Sequence, residues 1–196
     1  VDEAKLKGVK QVVFLSSLGS EYAENRPQRL IELYLQESGI AFTILRPNFF
    51  FQNFSVDDIE FIRSGKIFLP CGKGKTSFVD TRDIAAVAVA AFLSSSLNNQ
   101  MIPITGSEAL DYFEVASIFS EVLGRPIVYE NPSNDDYAAV QRADGETEQA
   151  IKSYLWLYNS VAEGKWEMVA DDFKKVTGRN PILLKEFAQE FKHVWQ

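Results

Sequence analysis

Cysteine, histidine and basic charge are all scarce in this chain, which has one Cys and one His among 196 residues. The lone Cys71 excludes an internal disulfide and fits a reducing compartment, so a cytoplasmic location is expected. His193 stands between Lys192 and Val194 without a partner at metal-binding spacing, so no metal site is expected. With 20 Lys and Arg against 27 Asp and Glu, the formal net charge is -7. Nucleic acid is therefore not the expected ligand, because phosphate binding needs clustered cations and only Lys73 and Lys75 form a dense local group. The longest apolar stretch, Ile84 to Leu93, is about half the roughly 20 residues of a membrane span and reads as a buried helix. Val1 to Gly8 lacks the basic-then-apolar order of a signal peptide. A glycine-rich phosphate loop is also missing: Gly72 and Gly74 have neither the strand-to-helix setting nor a third glycine at the right spacing.

What the chain does contain is apolar residues, 46% of the total, enough for one substantial core or a main domain with an appendage. Val12, Val13, Phe14 and Leu15 form a continuous apolar run, as expected of a strand covered on both faces. Before it, Asp2 to Lys7 reads as helical turns closed by Gly8. After it come Ser16-Ser17-Leu18-Gly19, then Leu30, Ile31, Tyr34 and Leu35 at helical spacing, stopping at Ser38-Gly39. Ala41 to Leu45 is the next strand, followed by Arg46-Pro47-Asn48. Strand, helix and strand of this length predict a right-handed βαβ unit with parallel neighbours, whose ligands sit at the C-terminal strand ends.

Farther along, the pattern predicts a helix over Val56 to Ser64, an extended segment from Lys66 to Leu69 and a turn at Pro70 to Lys75. A short strand at Ser77 to Val79 leads to a helix from Arg82 to Leu93, capped by Asp80 or Thr81. Met101 to Thr105 reads as a strand, Tyr112 to Leu123 as a helix ended by Gly124, and Ile127 to Tyr129 as a last strand. The polar segment Asn131 to Glu146 reads as a flexible loop. From Thr147 onward the chain reads as helical, with Ile151, Leu155, Tyr158 and Val161 on one face and Phe187, Phe191 and Trp195 on another.

Four pieces in collinear order carry a family likeness. They are Gly8-Val9-Lys10-Gln11-Val12-Val13-Phe14-Leu15-Ser16-Ser17-Leu18-Gly19; Ser38-Gly39-Ile40 with Thr43-Ile44-Leu45-Arg46-Pro47-Asn48-Phe49-Phe50-Phe51-Gln52-Asn53; Phe78-Val79-Asp80-Thr81-Arg82-Asp83-Ile84-Ala85; and Thr177-Gly178-Arg179-Asn180-Pro181. Together they resemble the NmrA-like branch of the atypical short-chain dehydrogenase/reductase superfamily, which includes quinone-reductase-like and NADPH-sensing members. The resemblance implies an α/β fold, a Rossmann-like parallel sheet of which this chain carries the C-terminal half, with a smaller α+β substrate-side subdomain. Residues 1–55 and 79–109 would form the core, and residues 56–78 and 110–196 the subdomain. The substrate cleft would lie between the Phe49 to Asn53 loop and that subdomain.

NADP or NAD is the implied cofactor. In the family it is held by a glycine-rich turn in an N-terminal half that this sequence is expected to lack, so dinucleotide binding is expected only when that half is supplied. The first strand would then show an unpaired edge, so self-association or a protein partner is expected beside a small-molecule substrate of unknown identity.

The resemblance also implies site residues. Ser16 and Ser17 would face the nicotinamide, although a Ser pair at a strand end is equally ordinary turn chemistry. Gln28 takes the place where a basic residue commonly reaches the nicotinamide ribose; its amide can still donate a hydrogen bond. Pro47, Asn48, Phe50, Phe51, Gln52 and Asn53 belong to the segment lying against the nicotinamide end. Because the three consecutive phenylalanines 49–51 cannot all face one way, at least one should be core and one should line the pocket. The Tyr and Lys that short-chain dehydrogenases use for proton transfer fall on Glu24 and Gln28, and neither can play the part. Tyr22 and Arg26 mimic the spacing two residues out of register. No catalytic residue is assigned, and Asp80 and Asp83 are expected to cap the helix they precede.

Three functions are compatible with these residues. The first is an NAD(P)H-dependent oxidoreductase of quinone-reductase type, since hydride transfer to a quinone needs less proton help from the protein than carbonyl reduction. The second is a non-catalytic NADP(H)-sensing regulator that binds a protein partner. The third is a partial domain that binds no dinucleotide by itself.

Overall fold

The computed structural model describes residues 1–196. Its strands are β1 (Gln11–Leu15), β2 (Ala41–Pro47), β3 (Lys66–Phe68), β4 (Gln100–Ile104) and β5 (Val128–Glu130). Contacts divide the chain into two compact units. The first comprises Val1–Phe50, Val79–Ser107 and Ala170–Ile182, and the second Phe51–Phe78, Glu108–Val169 and Leu183–Gln196. The second unit, expected to be the smaller, holds slightly more residues than the first. The segment Ala170–Ile182, which the sequence reading grouped with residues 110–196, belongs to the first.

In the first unit, β1, β2 and β4 form a parallel sheet in the order β1-β2-β4, with Val12 opposite Phe42 and Leu15 opposite Leu45. Alternation along β2 sends Phe42 and Ile44 to one face, where they meet Leu35 of the helix Pro27–Glu37 together with Val12 and Phe14. Leu45 turns to the other face, where Ile102 and Ile104 of β4 pack with Ile84 and Val87 of the helix Thr81–Leu93 and with Phe173. Both faces of β2 are therefore dry, the reason parallel strands of this kind read as unbroken apolar runs. β1 lies at one edge, and Leu15 at its end is 53% exposed.

Asp80 caps the helix Thr81–Leu93 by accepting the Arg82 backbone N–H at 2.8 Å. Asp83 acts differently. Fully buried, it accepts the Ile182 N–H at 2.7 Å and pairs with Arg179 at 2.7 Å, so it clamps the Thr177-Gly178-Arg179-Asn180-Pro181 segment onto the unit. The Arg179 guanidinium also covers the Phe173 ring at 4.7 Å, where a cation gains from the ring's electron-rich face.

The second unit is built on the parallel pair β3 and β5, with Ile67 opposite Tyr129. Its core is aromatic. Phe54 packs against Phe78 at 5.2 Å and Phe119 at 5.4 Å, and Phe119 meets Trp195 edge-on at 4.9 Å. The Trp195 indole N–H donates to the Phe54 carbonyl at 2.8 Å, which satisfies the one polar atom of a fully buried side chain. Phe187 stacks on Phe51 at 5.5 Å and meets Phe191 at 5.0 Å, the aromatic face expected near the C-terminal end.

Three sequence expectations are corrected here. Asn131 to Glu146 is not a loop but carries the helix Asn134–Ala143. Ser133 caps it by accepting the Asp136 N–H, and Tyr137 and Ala138 are buried. Its apolar stripe is so narrow among acidic and amide residues that composition hid it. The helix expected over Val56 to Ser64 shortens to Ile59–Arg63, because the Asn53 carbonyl accepts from the N–H groups of Val56, Asp57 and Asp58 and holds them in a tight turn. The Ser77 to Val79 segment pairs only through isolated bridges, Phe50 with Val79 and Thr76 with both Leu110 and Trp166.

The turn through Pro70 to Lys75 explains why a glycine stands at position 74. A Cβ there would lie 1.9 Å from the Val161 carbonyl oxygen, in the last turn of the helix Glu148–Ala162. Backbone cannot yield as a side-chain end can. Gly74→Ala is expected to lower the unfolding free energy by about 1–3 kcal/mol, an overpacking cost measurable by urea denaturation. A change within about 0.5 kcal/mol would show that the approach is looser.

Candidate functional site

The C-terminal ends of β1 and β2 are tied together by backbone hydrogen bonds. The Ser16 N–H donates to the Leu45 carbonyl at 2.8 Å and the Leu18 N–H to the Pro47 carbonyl at 2.9 Å. On the other side of β2, the Asn48 N–H donates to the Ile104 carbonyl at 3.0 Å. Ser16, Ser17, Pro47 and Asn48 are thereby fixed along one strand edge, where an open parallel sheet offers its crevice.

Behind this edge stands a polar network. Glu32, fully buried in the helix Pro27–Glu37, accepts from the Ser16 hydroxyl at 2.6 Å. It also takes two hydrogen bonds from Arg46, Nε at 2.9 Å and a terminal nitrogen at 2.7 Å, and one from Arg29 at 3.1 Å. Arg46 reaches Glu21 at 3.5 Å as well. Gly19, at φ 78, turns the chain into a left-handed bend open to glycine. That bend returns Ser20 to the strand end, where its hydroxyl meets those of Ser16 at 3.2 Å and Ser17 at 2.8 Å.

Burial works to raise the Glu32 carboxyl, but the hydrogen bonds from Arg46, Ser16 and Arg29 outweigh it and hold the group below its ordinary 4.5. Its stabilising contribution is therefore present above pH 4.5 and lost as acid protonates the folded carboxylate. The Glu32 hydrogen bond in turn raises Arg46, so both partners stay charged at neutral pH.

The expected site residues fall into three groups. Ser16, Ser17, Pro47 and Asn48 are brought together as described, with Ser16 and Asn48 buried and Ser17 half-buried. The Asn48 side-chain oxygen accepts the Phe49 N–H at 2.9 Å, which fixes the amide's direction. Gln28 stands exposed in the first turn of its helix, and Phe50 packs against the sheet core while bridging to Val79. Phe51, Gln52 and Asn53 open the second unit, where Phe51 is buried on Phe187 and the other two are half-buried.

Tyr22 is 87% exposed in the short turn Ser20–Tyr22, so nothing holds it as a general acid. Glu32, Arg46, Arg29 and Ser20 carry the network and were not expected from sequence. Their signal lies in an isolated Arg at the end of an apolar strand and an isolated Glu on the apolar side of a helix, charges that can be buried only as a pair.

The NmrA-like family pattern matches residues 1–188. The chain belongs to the NmrA-like family. It is 33% identical to the NAD(P)H azoreductase of Xenophilus azovorans, over 96% of this chain and 68% of that protein. An NADPH-dependent quinone oxidoreductase from Escherichia coli, solved with NADPH, superposes with a TM-score of 0.85 at 21% identity, over 100% of this chain and 69% of that one. NmrA itself, a negative transcriptional regulator solved with NADP, gives 0.72 at 16% identity, over 97% and 67%. These structures share the Rossmann-type fold with this chain. The chain spans between 56% and 69% of the length of curated relatives it matches. No helix is long and apolar enough to cross a membrane.

Proposed function

We propose that this NmrA-like protein is an NAD(P)H-dependent oxidoreductase of quinone-reductase type, with the nicotinamide end of the dinucleotide at the C-terminal edge of β1 and β2. One observation carries this reading: the hydroxyls of Ser16, Ser17 and Ser20 converge at that edge and are held there by the buried Glu32–Arg46 pair. A surface turn needs no buried ion pair behind it, whereas a site that must present donors at fixed positions does. The donor set suits an amide-bearing ring, since Ser hydroxyls and the Asn48 region offer neutral hydrogen bonds and no fixed charge. Bound there, the nicotinamide supplies the hydride.

In this reading Ser17, Pro47, Asn48 and Phe50 contact the nicotinamide end and Gln28 its ribose. Ser16 serves from behind, because its hydroxyl is already committed to Glu32. The substrate class is suggested by relatives named for azo and quinone reduction.

Mixing the purified protein with NADPH and menadione, and following loss of the reduced-nicotinamide absorbance, tests the proposal. With the glycine-rich half supplied, menadione-dependent oxidation is expected, and Ser17→Ala is expected to slow it about tenfold, the loss of one positioned hydrogen bond of about 1.4 kcal/mol. Tight NADPH binding without turnover of quinone or azo acceptors would favour a sensing role instead. No NADPH binding, with a glycine-rich N-terminal half supplied as well as without it, would remove both readings.

A further inference from the structure

One N–H of the buried Glu32–Arg46 pair goes to a weak partner. The Arg46 Nη2 carries two N–H groups. One donates to Glu32 at 2.7 Å, and the other reaches the Met101 sulfur at 3.4 Å. The rest of the guanidinium is occupied, with Nε on Glu32 at 2.9 Å and Nη1 facing Glu21 at 3.5 Å. A thioether sulfur accepts weakly, so one charged donor stays poorly satisfied in a side chain that is only 11% exposed.

Met101 can be reached from solvent. It stands on β4 opposite Ile44, at the sheet edge away from β1, and is 41% exposed. The other sulfurs differ from it. Cys71 is fully buried. Met168, the second of two methionines, is 46% exposed, but it lies in the second unit and engages through its carbonyl, which accepts from Ser77.

Two-electron oxidation changes what the Met101 sulfur offers. Hydrogen peroxide gives it one oxygen atom: the O–O bond breaks as the sulfur–oxygen bond forms, the thioether is oxidised to a sulfoxide, and the peroxide leaves as water with both its hydrogens. The sulfoxide oxygen is a strong acceptor one bond beyond the sulfur. Turned toward Arg46, it comes to about 2.8 Å from Nη2, the usual length of a charged N–H···O bond. It takes the N–H that the sulfur holds weakly and leaves Glu32 the other.

We propose that Met101 is a modification site for hydroperoxides, and that its sulfoxide tightens the Arg46–Glu32 pair behind Ser16. Oxidised methionine ordinarily loosens a fold, because a polar group enters apolar surroundings. Here the sign reverses. The new oxygen keeps part of its contact with water and gains a cation. The modification is independent of the oxidoreductase reading, since it needs neither cofactor nor turnover.

Mild hydrogen peroxide treatment, followed by peptide mass spectrometry and thermal unfolding, tests the site. Met168→Leu leaves Met101 as the target and Met101→Leu removes it, each a swap of similar volume. In Met168→Leu one oxygen should add at Met101 and the melting temperature should rise by about 2 °C. Amide exchange across residues 16–20 should slow in the same sample, because the Ser16 hydroxyl donates to Glu32. Methionine sulfoxide reductase with dithiothreitol, which removes the oxygen as water while the dithiol becomes a disulfide, should reverse both changes. Met101→Leu should show neither; if it does not fold, the reductase reversal decides the matter. Four results would each overturn the site: Met101 left unoxidised where Met168 of wild type reacts, an unchanged or lowered melting temperature once Met101 is oxidised, exchange across residues 16–20 that does not slow, or a rise that persists in Met101→Leu or survives the reductase.

Discussion

Glu32→Ala should lower the unfolding free energy by about 3–5 kcal/mol, the largest effect expected of any single change in the first unit. The reason is what it leaves behind. Arg46, whose side chain is 11% exposed, would keep a 3.5 Å contact with Glu21 and a weak 3.4 Å one with the Met101 sulfur in place of two short charged hydrogen bonds. The Ser16 hydroxyl would lose its 2.6 Å acceptor at the same time. For a chain of this size the melting temperature should fall by about 10 °C. Glu32→Gln separates charge from hydrogen bonding: it can still accept from Ser16, so it should recover part of the loss while leaving Arg46 poorly compensated. A Glu32→Ala protein within about 1 kcal/mol of wild type would mean that the pair is no more than a surface ion pair.

Asp58→Asn should stabilise the protein in a pH-dependent way. The Asp58 carboxyl titrates at 3.8 ordinarily and at about 7 when buried in the fold. A raised folded value favours the native state below the lower figure, and that advantage drains away as pH climbs to the higher one. Relative to Asp58→Asn, wild type should therefore lose about 4 kcal/mol across that window and nothing further above it. Urea unfolding of both proteins from mildly acidic to mildly alkaline pH measures this directly. A constant gap between the two curves would show that Asp58 ionises in the folded protein as freely as in water.

Much of the first unit was legible in the sequence because its signals are local and mutually consistent. The unbroken run Val12–Leu15, the helical spacing ending at Ser38-Gly39 and the apolar segment Ala41–Leu45 each specify an element, and the structure pairs the two strands in parallel with residue 12 opposite residue 42. Asp80 likewise sits where a cap is wanted, before an Ala-rich helix. The helix Asn134–Ala143 was hidden for the opposite reason. Its stability depends on burying Tyr137 and Ala138 against distant parts of the chain, and no short-range pattern reports that.

The candidate site was legible only as positions along the chain. Ser16, Ser17, Pro47 and Asn48 were placed by family likeness, and the fold does bring them to one edge. What organises them, the Glu32–Arg46 pair, depends on partners fourteen residues apart meeting across a helix and a strand. Asp58 was invisible for a related reason: before a short helix it resembles an ordinary cap, and only the fold shows that its carboxyl makes no cap bond.

The central claim is that the nicotinamide end of a dinucleotide rests on the C-terminal edge of β1 and β2. Backbone hydrogen exchange with and without NADPH tests it most directly, because bound ligand slows exchange where it covers or rigidifies the chain. Slowed exchange is predicted across residues 16–20 and 46–49, with the exposed first turn of the helix Pro27–Glu37 responding around Gln28. NADPH binding that leaves those segments unchanged while protecting others would contradict the account.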